Sequence, residues 1–296
     1  MKKLLMIVNP YAGRQAAKSS LFSVIERCDA AGYNVEVHPT RGRAAVIDLV
    51  KTRANEFDLI VCCGGDGTLN EVVTGLMATE TRPPLGYIPM GTTNDFATTL
   101  GIPKMPVEAA ERMLKGGDYP FDVGVFNDRY FTYVAAFGAF TEVSYQTPQP
   151  LKNVLGHAAY LLEGAKRIPD IKPQRVRIEH DNGVLEDDYI FGSISNSTSV
   201  AGLIKLKGNK VSLQDGKFEL MLIKNPHDIT KLTNIVTSLI TQDFDEKSDK
   251  YVKFIHTSKA IIDTPYGMTW TTDGEDGGRQ THVEIGIRPL AITLKN

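Results

Sequence analysis

The stretch Cys63-Gly64-Gly65-Asp66-Gly67-Thr68-Leu69-Asn70-Glu71 constrains this chain more than any other. The apolar run 59–63 reads as a buried strand, and Leu69, Val72, Val73, Leu76 and Met77 recur at helical spacing. A glycine-rich turn therefore joins a strand end to a helix start. Such a turn aims backbone N–H groups and the positive end of a helix dipole at one point, which suits phosphate. Its glycines let the backbone close on a bulky anion with no Cβ in the way. Asp66 is unusual there. A carboxylate beside phosphates is repulsive unless a cation lies between them, so Asp66 implies Mg²⁺. No lysine ends the loop as the Walker pattern requires, and Asn70 stands where the dinucleotide fingerprint needs glycine.

The same strand–turn–helix pattern repeats through the first part of the chain. Strands are predicted at 4–8, 33–38, 59–63 and 85–89, and helices at 15–31, 44–55, 69–78 and 107–115. This alternation predicts a doubly wound, mainly parallel α/β domain. Three strand ends carry polar turns with glycine: Asn9–Gly13, 64–68 and 91–95. Ligands of such sheets bind beyond the carboxyl ends of the strands, so these turns predict one shared pocket.

From about Phe121 short alternating runs take over, at 122–126, 130–137, 174–180, 189–195, 218–224, 253–263 and 281–287. Asn127-Asp128 and Asp181-Asn182-Gly183 read as hairpin turns. Helical patterns interrupt at 151–168 and 227–241. The expectation is a C-terminal antiparallel β-sandwich with helical insertions. The boundaries fall at 1–124 for the α/β domain with the phosphate-type turns and 125–288 for the β-sandwich domain. The last run, 290–294, fits either domain.

Bulk properties narrow the function. A net charge of −2 argues against nucleic acid as the main partner. Three cysteines cannot make a disulfide framework, and Cys28, Cys62 and Cys63 all sit in apolar or helical stretches, as packing residues do. The apolar start at 4–8 is too short for a signal peptide, and no run is long enough to span a membrane. The expected location is the cytoplasm, with peripheral contact at the inner face of a membrane. A homodimer is a plausible assembly.

Several residues carry chemistry on their own account. Asn9, Pro10 and Gly13 form a small turn at a helix start, a second anion site, with Arg14 and Lys18 beyond it. Thr40-Arg41-Gly42-Arg43 is either a nucleotide contact or a solvated loop. Thr92, Thr93, Asn94 and Asp95 supply hydroxyls and an amide, or cap a helix. Asp215-Gly216 is either a common hairpin turn or a carboxylate serving a cation. The acidic loop 272–278 is either an exposed turn or the source of a general base, for which Glu275 is the candidate. The run 203–210 interleaves Leu203, Ile204 and Leu206 with Lys205, Lys207 and Lys210. It reads either as a membrane-surface contact or as a strand with one basic face.

The ordered set Asn9-Pro-x-x-Gly13, Gly64-Gly-Asp-Gly-Thr68-x-Asn-Glu71, Gly91-Thr-Thr-Asn-Asp95-Phe, Asp215-Gly216 and Asp273-Gly-Glu275 resembles the diacylglycerol kinase catalytic domain family, in particular its soluble bacterial lipid kinases. The resemblance spans nearly the whole chain. It implies an active site in a cleft between the two domains, and a final strand, 289–296, that returns to the first domain. ATP would be held by Asn9, Pro10, Gly13, Thr40, Gly64, Gly65, Asp66, Gly67, Thr68, Asn70, and Thr92 or Thr93. Asp66 would serve the catalytic Mg²⁺. Asp215, with the backbones of Ser212 and Lys217, would hold a second Mg²⁺, and Glu275 would be the base. The segment 203–209 departs from the usual approach to the Asp-Gly site. The implied reaction is transfer of the γ-phosphate of ATP to a lipid hydroxyl, foremost diacylglycerol. The alternatives are a small-molecule kinase of the NAD kinase type and a noncatalytic nucleotide- or lipid-binding regulator.

Overall fold

The computed structural model describes residues 1–12, 20–138, 173–197, 199–200, 204–205, 212–241 and 250–296. Gly13, Arg14 and Lys18, the predicted helix at 151–168, and most of 203–210 lie outside the described residues. The chain mixes helices and strands and divides into two units, Met1–Val123 with Arg288–Asn296, and Gly124–Ile287.

In the first unit the elements are β1 (Lys2–Val8), α1 (Leu21–Ala30), β2 (Tyr33–Pro39), α2 (Arg43–Arg53), a 3₁₀ turn (Ala54–Glu56), β3 (Leu59–Gly64), α3 (Asp66–Met77), β4 (Leu85–Pro89), α4 (Asp95–Thr99) and α5 (Pro106–Lys115). The strands run parallel in the order β2-β1-β3-β4. The central three are apolar on both faces, as strands covered by helices must be. Leu4–Val8, 59–63 and Ile88 are buried, against Val24 and Cys28 of α1, Val46 and Val50 of α2, Leu69, Val72, Val73 and Leu76 of α3, and Ala109, Ala110 and Met113 of α5. The three cysteines are free and buried in this core. Burial pushes the Cys28 thiol up to about 11 and the others higher still, so all three stay protonated and inert.

The second unit is antiparallel. Its elements begin with β5 (Asp118–Phe126), which enters from the first unit, then β6 (Arg129–Phe131), β7 (Val134–Gly138), β8 (Gln174–His180), β9 (Gly183–Ser195), β10 (Ser199–Val200), β11 (Ile204–Lys205), β12 (Phe218–Lys224), α6 (Ile229–Thr241), β13 (Val252–Thr257), β14 (Lys259–Thr272) and β15 (Glu275–Lys295). Two long strands, β9 and β14, each pair with β8 along one half and with β7 along the other. The pairing thus closes on itself, so the layers share strands where separate sandwich sheets were expected. The interior is one cluster that includes Phe126, Phe131, Phe137, Tyr189, Phe218, Leu220, Leu222 and Trp270. Trp270 meets Phe126 edge-on at 5.1 Å and Phe137 at 4.9 Å. These are favoured aromatic geometries.

The strand β15 pairs with β14 through the second unit, and its last turn of chain, Leu294, lies opposite Leu85 of β4. Leu290 takes a left-handed conformation there (φ 48°) and donates its N–H to Asp122 Oδ1 at 2.7 Å. Arg82 adds a bond to the Ala291 carbonyl at 3.1 Å.

Candidate active site

In the first unit, the carboxyl ends of β1 to β4 are stitched side by side by backbone bonds. Asn9 N–H donates to Cys63 O (2.9 Å), Thr40 N–H to Val8 O (2.8 Å) and Met90 N–H to Gly64 O (2.7 Å). Asn9, Thr40, Gly64 and Gly65, and Met90 and Gly91 therefore share one edge of the sheet. Asn9 Nδ2 donates to Thr68 Oγ1 at 3.0 Å, and Asn9 Oδ1 accepts the Tyr11 N–H at 2.9 Å. Arg43 donates to Asn70 Oδ1 at 3.3 Å.

The glycine-rich turn is tighter than the sequence suggests. β3 runs through Gly64 and α3 begins at Asp66, so only Gly65 lies between them. Asp66, Gly67 and Thr68 form the first helical turn and not a loop. The turns after β3 and β4 touch at their glycines: a Cβ on Gly91 would lie 2.6 Å from the Gly65 Cα. No side chain fits at that crossing. Asn94 holds the second turn, accepting the Gly91 N–H and donating to the Gly91 carbonyl, both at 2.9 Å.

Asp66 has a partner that sequence reasoning missed. Its carboxylate accepts the Asp95 N–H at 3.1 Å and the Phe96 N–H at 3.4 Å. It caps the N-terminus of α4 from across the site. Thr93, Asn94 and Asp95 were weighed as caps, but Asn94 is the N-cap by position only and makes no capping bond with its side chain. The presence of Asp66 among amides is thus accounted for without a cation. Thr92 and Thr93 line a cavity of about 270 Å³ together with Met90, Gly91, Lys104 and Met105.

In the second unit, Asp215 is exposed on the turn before β12 and accepts the Lys217 N–H at 3.0 Å. Ser212 Oγ accepts the Gln214 N–H at 3.2 Å. Among the described residues no group of three or more His, Cys, Asp or Glu side chains is gathered for a metal ion. Magnesium does not require one: it commonly binds through one or two carboxylates plus substrate phosphates and water. The residues present fit that mode.

Glu275 begins β15, directly after a two-residue turn of Asp273 (φ 50°) and Gly274 (φ 79°), with Thr272 and Glu275 paired across it. The expected acidic loop is this tight hairpin. Glu275 is exposed, whereas Asp273 is only 4% exposed. The Asp273 carboxylate accepts Thr132 N–H (2.6 Å) and Thr132 Oγ1–H (2.8 Å) on one oxygen, and Tyr133 N–H (3.0 Å) and Val134 N–H (3.1 Å) on the other. Burial pushes this carboxyl up, and the four donors pull it back. Four donors on two oxygens call for the ionised form, which is acceptor-only.

A second acid also escaped the sequence reading. Glu219 of β12 is 4% exposed, and neither of its oxygens has a hydrogen-bond partner among the described residues. His256 Nε2 stands 3.9 Å away. Burial, with Asp215 nearby, pushes the Glu219 carboxyl up to about 8. The strand alternation 218–224 marked one buried face; the burial of Met221 and Ile223 on the other face was not legible.

Comparison with known proteins places this geometry in context. The family described as the diacylglycerol kinase catalytic domain matches residues 3–126. A diacylglycerol kinase of Bacillus subtilis (strain 168) is 36% identical over 280 residues, covering 94% of this chain and 91% of that protein. One from Staphylococcus epidermidis (strain ATCC 12228) is 33% identical, covering 96% of this chain and 92% of that protein. A solved structure of a candidate diacylglycerol kinase from Bacillus anthracis str. Sterne is 27% identical, with a TM-score of 0.85 over 99% of this chain and 95% of that one.

Proposed function

The chain belongs to the diacylglycerol kinase family, and we propose that it transfers the γ-phosphoryl group of ATP to a lipid hydroxyl, converting diacylglycerol to phosphatidic acid. The observation that carries the reading is the row of strand-end turns along one sheet edge of the first unit, with Asn9, Thr40 and Gly91 in the row and Gly65 and Thr68 at the start of helix α3. Helix-start amides and small side chains are what a polyphosphate needs.

In this reading Asn9, Pro10, Gly13, Thr40, Gly64, Gly65, Gly67, Thr68, Asn70, Thr92 and Thr93 hold the nucleotide. Asp66 serves Mg²⁺, and its contacts to the Asp95 and Phe96 N–H groups cap α4. Asp215 and the backbones of Ser212 and Lys217 serve a second ion. Bound Mg²⁺ offsets the charge on the group in transfer. Glu275 takes the proton of the attacking hydroxyl. It suits that role because its carboxylate is exposed and, among the described residues, has no competing hydrogen bond. The lipid is met at a membrane surface, where an apolar diacylglycerol resides.

The test is Glu275→Gln. Nucleotide affinity by calorimetry is expected to stay within about twofold, while turnover falls by about 10²–10⁴, the usual worth of a general base. Unchanged turnover would remove Glu275 from the mechanism.

A further inference from the structure

We infer that Asp273 is the positioning residue for Glu275, and that the backbone of residues 132–134 is the cradle that fixes it. The inference rests on the reading of Glu275 as the base. A two-residue hairpin turn with both residues at positive φ accepts Asp-Gly for its backbone alone. Its side chain normally points to water. Here it points inward, and the bonds far exceed what the turn requires.

The Asp273 carboxylate takes four hydrogen bonds from three consecutive residues, Thr132, Tyr133 and Val134. The Asp273 N–H returns a fifth, to the Val134 carbonyl at 2.8 Å. Successive amides converging on one carboxylate form an anion nest. A buried carboxylate is tolerable only with such full satisfaction, so losing any of the donors is penalised steeply and the geometry is pinned. Thr132 is itself fully buried, which keeps water from replacing its hydroxyl.

Glu275 stands two residues along the same hairpin, and its side chain bonds to none of the described residues. Its backbone is therefore the handle by which the protein can aim it. That backbone is fixed on one side by pairing with Thr272 and on the other by the buried anchor of Asp273. A base held in this way starts close to its productive geometry, and a displacement of about 1 Å can reduce the rate on the order of 100-fold.

A double-mutant cycle tests this. Asp273→Asn keeps the shape but turns an NH₂ group toward two donors. It is expected to lower kcat on the order of 10–100-fold with KM for ATP unchanged, and to cause no further loss when added to Glu275→Gln. Thr132→Val, which removes one donor, should show the same pattern at a few-fold scale and serves if the Asn variant does not fold. If either folded variant keeps its kcat, or if its loss multiplies in full with that of Glu275→Gln, Asp273 only stabilises the hairpin and the inference fails. Full activity of Glu275→Gln alone is a different result: it overturns the role of Glu275 as base.

Discussion

Asp66 shows how one residue can satisfy two readings. Its position beside a phosphate-type turn pointed to a cation, yet its carboxylate also takes the Asp95 and Phe96 N–H groups. An acid in the first turn of α3 is favoured by the helix dipole as well. Both effects act without ligand. Asp66→Ala is therefore expected to lower the stability of the metal-free, nucleotide-free protein by about 1 kcal/mol, the usual worth of a lost cap. Thermal melting in chelator measures this. An unchanged melting temperature there would leave Asp66 with a role toward metal alone. The motif itself was readable because its glycines and its aspartate are rare together. Its second role was hidden, since the donors lie 29 and 30 residues away in sequence.

At the scale of elements, periodicity served well where one face decides the structure. β8 (Gln174–His180), with one buried face, matches the alternating run that predicted it. It failed where tertiary contacts decide. Helix α4 has only five residues and depends on a cap from α3. The single strand expected at 253–263 is broken at Ser258, whose N–H donates to Asp181 Oδ2 at 2.6 Å. The start of α3 was masked because Asp, Gly and Thr favour turns over helix interiors.

β12 carries the other lesson, since it buries both faces and Glu219 sits in the second. The Glu219 carboxyl has an ordinary value of 4.5 and is pushed up to about 8 in the fold. The folded chain thus binds this proton more tightly than the unfolded chain. Its stabilising share is complete below about 4.5 and is lost as pH rises through about 8. The melting temperature of the native chain should fall across that window. In Glu219→Gln the fall should be flatter. Parallel curves for the two proteins would place the Glu219 proton elsewhere.

For the whole molecule, the change from strand–helix alternation to short alternating runs marked where the chain changes character. The pairing of the second unit was not legible. β9 and β14 each pass from pairing with β8 to pairing with β7 along their length, and nothing in local propensity announces such a switch. Nor does the run 290–294 reveal its place by pattern. Its return to the first unit is set by single long-range bonds, Leu290 to Asp122 and Arg82 to Ala291. Family membership then supplies what topology does not, the lipid kinase class of reaction. The most direct measurement of that account is transfer from γ-labelled ATP and Mg²⁺, with diacylglycerol vesicles, NAD or no acceptor offered in parallel. Label is expected in phosphatidic acid alone. Label in NAD, or in no acceptor at all, would contradict the lipid kinase reading.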